Sequence, residues 1–112
     1  MLMTGYWHKI SLYSETDTQH LAKRIGQLLV PGDVILLRGE IGAGKSFFAR
    51  ALIQSLQDIP EDVPSPTFTL VQTYITKIGE IWHADLYRLT ASSEIDELGL
   101  LEAFESAIAL VE

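Results

Sequence analysis

The 112-residue sequence contains no cysteine. That excludes disulfide scaffolds, thiol nucleophiles and Cys-based zinc sites. It is also poor in positive charge, with 8 Lys and Arg against 15 Asp and Glu and a formal net charge of −7. An acidic chain lacks the electrostatic footprint of an independent nucleic-acid binder. It is equally ill suited to an anionic membrane, whereas a basic protein partner fits the balance. No apolar run reaches the roughly 18 residues of a spanning helix, and Met1 to Lys9 lacks the charged-then-apolar order of a secretory signal. A cytoplasmic protein with no membrane association is the expectation. Internal repeats, low-complexity tracts and linkers are missing too. What is present is 47% apolar residues, enough for a packed core, in a length that implies a single domain over 1–112.

Read along the chain, Tyr6 to Tyr13 is rich in aromatic and β-forming residues and predicts a strand. Ser14 with Asp17 predicts a helix start, and Leu21, Ile25, Leu28 and Leu29 recur at helical spacing until Pro31-Gly32. Val34 to Leu37 is a short apolar run, as in a strand buried on both faces. A Gly-rich turn leads into a helix from Lys45 to Leu56. Three prolines between Asp58 and Pro66 make that stretch a loop. Thr69 to Ile75 and Ile81 to Leu86 read as an antiparallel hairpin. Ser93 to Phe104 predicts a helix with Ile95, Leu98, Leu101 and Phe104 on one face, and Ala107 to Val111 a second buried strand. The expected fold is α/β, a P-loop NTPase-like mixed sheet flanked by helices. An apolar strand followed at once by the last residue leads us to expect further C-terminal strands beyond Glu112.

Gly39-Glu40-Ile41-Gly42-Ala43-Gly44-Lys45-Ser46 matches G-x-x-x-x-G-K-[ST] at every fixed position. Glycines let the backbone curl so that successive amides face phosphate oxygens. The helix N-terminus after Gly44 adds partial positive charge at the same point. Lys45 supplies a point charge for the β and γ phosphates, and the Ser46 hydroxyl suits Mg²⁺. A strand before and an amphipathic helix after give the motif its proper context.

Hydrolysis also needs a carboxylate near the metal. Asp85 and Glu112 each end an apolar run and are the candidates for metal and water. Ser65-Pro66-Thr67-Phe68-Thr69 resembles a switch segment, in which Thr67 would sense the γ-phosphate. His83 shares a strand face with Asp85; such a pair without a third ligand reads as structural and not as a metal site. Arg88 is expected to pair with local acids such as Glu94 or Asp96, and Trp7 and Trp82 to serve as core or interface aromatics. There is no N-K-x-D segment for guanine. Asp96-Glu97-Leu98-Gly99 spells D-x-x-G but falls within a helical pattern, so the match is accidental. Few basic residues leave little room for a kinase lid.

These residues together resemble one family. The P-loop with acidic Glu40, the Ser65-to-Val71 segment and His83-Ala84-Asp85-Leu86-Tyr87-Arg88-Leu89 are similar to the bacterial TsaE (YjeE) ATPases of tRNA threonylcarbamoyladenosine biosynthesis. Ser14 to Ala22 loosely resembles that family's N-terminal stretch. The resemblance implies ATP/ADP and Mg²⁺ as ligands, and TsaB and TsaD as partners. With them the subunit would support threonylcarbamoyl transfer to the adenosine beside the anticodon, meeting tRNA only through the complex. It also implies that Lys45 and Ser46 hold phosphate and metal, that Thr67 sits at the switch, that Asp85 and Glu112 serve metal and water, and that Thr18 lines the base. The family continues past the position of Glu112 into Trp-Pro and further strands, and often has Thr where this chain has Ser46. With no evident cis arginine finger, an ATPase slow by itself is expected. A small-molecule or nucleoside kinase and a nucleotide-gated binding module are the alternatives.

Overall fold

The computed structural model describes residues 8–40, 42–66, 71–85 and 99–112, except for the side chains of 100 and 101. Helix α1 spans Glu15–Gly26. Ser14 caps it, its Oγ accepting the Asp17 N–H at 3.1 Å, while Asp17 Oδ2 accepts the Tyr13 N–H at 3.0 Å. One free first-turn amide, that of Asp17, is thereby satisfied, and the entering chain is tied to the same turn. Acidic Glu15 and Asp17 in the first turn and basic Lys23 and Arg24 in the last complement the helix dipole. The helix stops at Gly26, ahead of the Pro31-Gly32 pair expected to end it. Leu28 and Leu29 donate instead to Ile25 and Gly26, one residue short of α-helical spacing. This tightened turn swings Leu28 outward, to 80% exposure. Ser14→Ala is predicted to cost about 1 kcal/mol of stability, read as a lower urea midpoint at unchanged slope; an unmoved midpoint would show that the cap contributes nothing.

A mixed sheet is ordered β1-β4-β3-β2, from strands β1 (Val34–Leu36), β2 (Val71–Thr76), β3 (Gly79–Ala84) and β4 (Ile108–Val111). β4 runs parallel to both β1 and β3, and β2 pairs antiparallel with β3. The expected hairpin is therefore present, with a tighter turn: Thr76 pairs Gly79 across Lys77-Ile78. The Thr76 hydroxyl donates to the Gly79 carbonyl at 2.6 Å and accepts the Ile78 N–H at 3.3 Å. Helix α2 spans Lys45–Ser55 and helix α3 Leu100–Ser106.

Alternation sorts the sheet faces. Ile108 and Leu110 of β4, Ile81 of β3 and Tyr74 of β2 join Ala22, Ala49, Leu52, Ile53 and Leu56 in one core, so α1 and α2 cover this face. α3 packs on β4, and Gly99 at its start lies against the Trp82 ring on the other face. All four β4 residues are buried, as the apolar run predicts for a central strand.

Three expectations are corrected. β1 is not buried on both faces. Among the described strands it lies at the sheet edge, and Val34 and Leu36 are 42% and 61% exposed while Ile35 and Leu37 face the core. Residues 8–13 of the expected Tyr6–Tyr13 strand are exposed and in no strand; among the described residues no strand pairs with them, and β propensity without a partner ladder makes no strand. The helix expected over Ser93–Phe104 does not run through Gly99, whose left-handed φ of 74° places it at the cap of α3. Residues 93–98, with Arg88, Trp7 and the D-x-x-G aspartate Asp96, lie outside the described residues.

Candidate functional site

The Gly-rich loop leaves the C-terminal end of β1 and turns into α2. Leu37 N–H donates to Val111 O at 2.7 Å, tying the loop's root to the end of β4. The loop therefore stands over the carboxyl ends of the parallel strands, where open α/β sheets bind ligands. Glu40 O accepts the Ala43 N–H at 3.0 Å, folding the loop back on itself. Gly44, at φ 95°, is the N-cap of α2 and has no side chain to satisfy its first-turn amides; that turn also carries no acidic residue. Both leave the positive end of the helix open toward an anion. At Gly39 a Cβ would come within 2.9 Å of the Ala43 Cβ, so the tight curl requires glycine. Lys45 lies across the loop, its Nζ donating to Gly39 O at 2.8 Å. Gly42, Ala43 and Gly44 are exposed, as is Glu40; Ile41 and Thr67 lie outside the described residues.

Ser46 sits in the first turn of α2, and Glu112 directly follows β4. The Ser46 hydroxyl donates to Glu112 Oε1 at 2.8 Å. The Glu112 N–H donates to Ala84 O at 2.8 Å, so its backbone is still held by β3. Its second oxygen, Oε2, lies 2.5 Å from Nε2 of His83. Side-chain exposure is 8% for Glu112 and 0% for His83. A buried carboxylate is tolerated only when its oxygens find donors, and here each has one. Burial pushes the His83 imidazole below its ordinary pKa, outweighing the opposing pull of Glu112 and Asp85. Since a carboxylate only accepts, Nε2 carries the proton in this pairing. His83 Nδ1 is buried without a hydrogen-bond partner among the described residues.

The structure thus brings Lys45, Ser46 and Glu112 to one place. Asp85, half-buried just after β3, is close enough for its charge to act on His83. Thr18 lines a cleft of about 520 Å³ between the start of α1 and the loop, with Tyr13, Leu37, Lys45, Phe47 and Phe48. The His83–Glu112 bond is not visible in the local sequence, where the carboxylate nearest His83 is Asp85. The available signal was that both strands end in a carboxylate at the same level. Among the described residues no cluster of three or more His, Asp or Glu could cage a metal. Ser46 and Glu112 form instead a sparse oxygen-donor set. That fits Mg²⁺, which keeps waters and is completed by substrate phosphates, and does not fit an all-protein metal cage. No described helix is long and apolar enough to cross a membrane.

Fold and site together define an α/β protein of the P-loop NTPase-like class. The chain belongs to the TsaE family, whose model, described as threonylcarbamoyl adenosine biosynthesis protein TsaE, matches residues 12–112. It is 46% identical over 101 residues to the tRNA threonylcarbamoyladenosine biosynthesis protein TsaE of Rickettsia felis, covering 90% of this chain and 59% of that one. It is 50% identical over 82 residues to the protein of that name from Aquifex aeolicus, covering 72% and 62%. The crystal structure of Bacillus subtilis YdiB is similar at a TM-score of 0.69 and 31% identity, over 90% of this chain and 60% of that one. The chain spans about three-fifths of the length of these relatives.

Proposed function

We propose that this chain is the ATP-binding and ATP-hydrolysing part of a TsaE subunit that supports threonylcarbamoyl transfer to tRNA. In this reading it works with TsaB and TsaD, which hold the tRNA, in the cytoplasm. Family membership supports the pathway. The observation that carries the chemistry is the 2.8 Å contact between Ser46 and Glu112, directly beneath the Gly-rich loop. A hydroxyl and a carboxylate at the root of a phosphate cradle are the donor pair that Mg-nucleotide hydrolysis requires.

The amides of Glu40 to Gly44, including Ile41, with the α2 N-terminus and Lys45, receive the β and γ phosphates. Mg²⁺ would be held by Ser46, with Glu112 and Asp85 reaching it through water, and would offset charge on the phosphates. Glu112 accepts a hydrogen bond from the attacking water and aims it at the γ-phosphorus. Thr67 reads the presence of the γ-phosphate from the switch segment. Thr18 and the aromatic cleft walls lie along the base. Because Lys45 already engages Gly39 O, nucleotide must displace that bond, trading a neutral acceptor for a charged one. Gly39→Ala is predicted to weaken nucleotide binding at least about tenfold, since a clash at 2.9 Å must spread the loop; an unchanged ADP affinity by calorimetry would contradict this cradle.

The test uses the full-length protein. Calorimetry with Mg²⁺ and ATP or ADP should give heat, and phosphate release from labelled ATP should rise when TsaB and TsaD are added. No heat from a folded sample overturns the proposal. Label passing to an acceptor instead of to inorganic phosphate would identify a phosphotransferase. Binding without release, even with both partners present, would identify a nucleotide-gated module.

A further inference from the structure

We propose that His83 is a positioning residue for Glu112: its Nε2–H holds one carboxylate oxygen so that the other faces Ser46 and the phosphate cradle. The inference rests on the reading of Glu112 as the carboxylate serving metal and water.

Among the described residues two side chains bond the Glu112 carboxylate, and they differ in kind. Ser46 is on α2 and bonds Oε1 at 2.8 Å. Its hydroxyl oxygen is also the group suited to the metal, and it can ligate through a lone pair while its O–H still donates to Oε1. His83 bonds Oε2 at 2.5 Å from inside the sheet, with no exposed surface. β3 and β4 are registered here, His83 beside Leu110 and Ala84 beside Val111, and the Glu112 N–H on Ala84 O extends that register to the carboxylate's own residue. Ser46 therefore holds Oε1 from the helix side, and the imidazole is the described side-chain donor that holds Oε2 from the sheet side. A glutamate has three rotatable side-chain bonds. Held through Oε1 alone it can swing about that single bond into orientations unsuited to the water, and misplacement of about 1 Å is enough to slow a reaction strongly.

A histidine serving only to fill the core would be a poor choice at this position. Its Nδ1 stays buried with no partner among the described residues, which an apolar side chain of like size would avoid. The retained polar ring is explained by what its other nitrogen does. Asp85, two residues on and facing the same site, acts on His83 by its charge, whereas Glu112 also takes its hydrogen bond.

Two substitutions separate positioning from packing. Glutamine carries an amide nitrogen at about the reach of imidazole Nε2; asparagine stops near Nδ1 and cannot meet Oε2. In full-length protein with TsaB and TsaD, rates are normalised to the sites titrated by ADP, so that unfolded material does not count. His83→Gln should keep kcat within about threefold of the parent, while His83→Asn should lose at least about tenfold in kcat with KM for MgATP within about threefold. Equal kcat in the two variants, or a loss confined to KM, overturns the proposal. In the parent protein, ¹⁵N imidazole shifts should show His83 with its proton on Nε2; a proton on Nδ1 overturns it whatever the activity. A parent that binds nucleotide but releases no phosphate would instead sink the hydrolytic reading, and the tautomer would then decide whether the bond exists.

Discussion

Replacing Lys45 by alanine is expected to lower phosphate release from ATP by at least about 100-fold, the scale on which removal of one preorganised charge-stabilising donor acts. The motive is the position of the ammonium. It spans the loop mouth to Gly39 O, where a γ-phosphate oxygen would compete for it. In phosphoryl transfer the protein mostly positions groups and stabilises charge, so a fixed cation at the transferring group carries much of the effect. The folded state should hardly notice. The lost bond is exposed, and water can serve the freed carbonyl, so stability should change by less than about 0.5 kcal/mol. Turnover with TsaB and TsaD, measured beside a thermal melt, checks both halves. A variant that hydrolyses at the parental rate removes the loop from the chemistry.

The largest predicted effect on stability lies in β4. Leu110 is fully buried, flanked by Ile35 on β1 and His83 on β3, and belongs to the core that α1 and α2 cover. Its neighbours sit in paired strands and cannot collapse into a gap. Leu110→Ala should therefore cost about 3 kcal/mol, within the usual range for buried leucine truncation. That is a large part of the roughly 5–15 kcal/mol that holds a domain of this size. Urea unfolding at constant slope measures it, and a loss under about 1 kcal/mol would contradict the packing described for this strand. Ile75 makes a useful control, since at 73% exposure its truncation should change little.

Local signals were legible where local chemistry decides. The Ser14 cap, the hairpin and the Gly-rich loop each follow from residues within a few positions of one another. So does β4 as an apolar run, Ile108 to Val111, and all four of its residues are buried. Edge and centre are a different matter. Val34 to Leu37 and Ile108 to Val111 look alike as apolar runs, yet among the described strands one lies at the edge with an exposed face and the other is covered on both sides. Periodicity cannot tell them apart, because strand neighbours are chosen by contacts far apart in sequence. The same limit hid the His83–Glu112 bond, which depends on β3 lying next to β4. Leu28 failed for a smaller reason, a turn tightened by one residue.

The place of β4 between β1 and β3 has a consequence for assembly. Both of its neighbours are translated long before it, and they touch each other nowhere in the sheet, since β4 separates them. Until residues 108–111 leave the ribosome, two backbone ladders wait with open sides, and the hydroxyl of Ser46 lacks Glu112. Closing this gap spans most of the chain, which makes it an entropically expensive and late event. A nascent chain arrested before β4 should be chaperone-prone and blind to nucleotide, and ligand responsiveness should arise together with protease resistance rather than ahead of it.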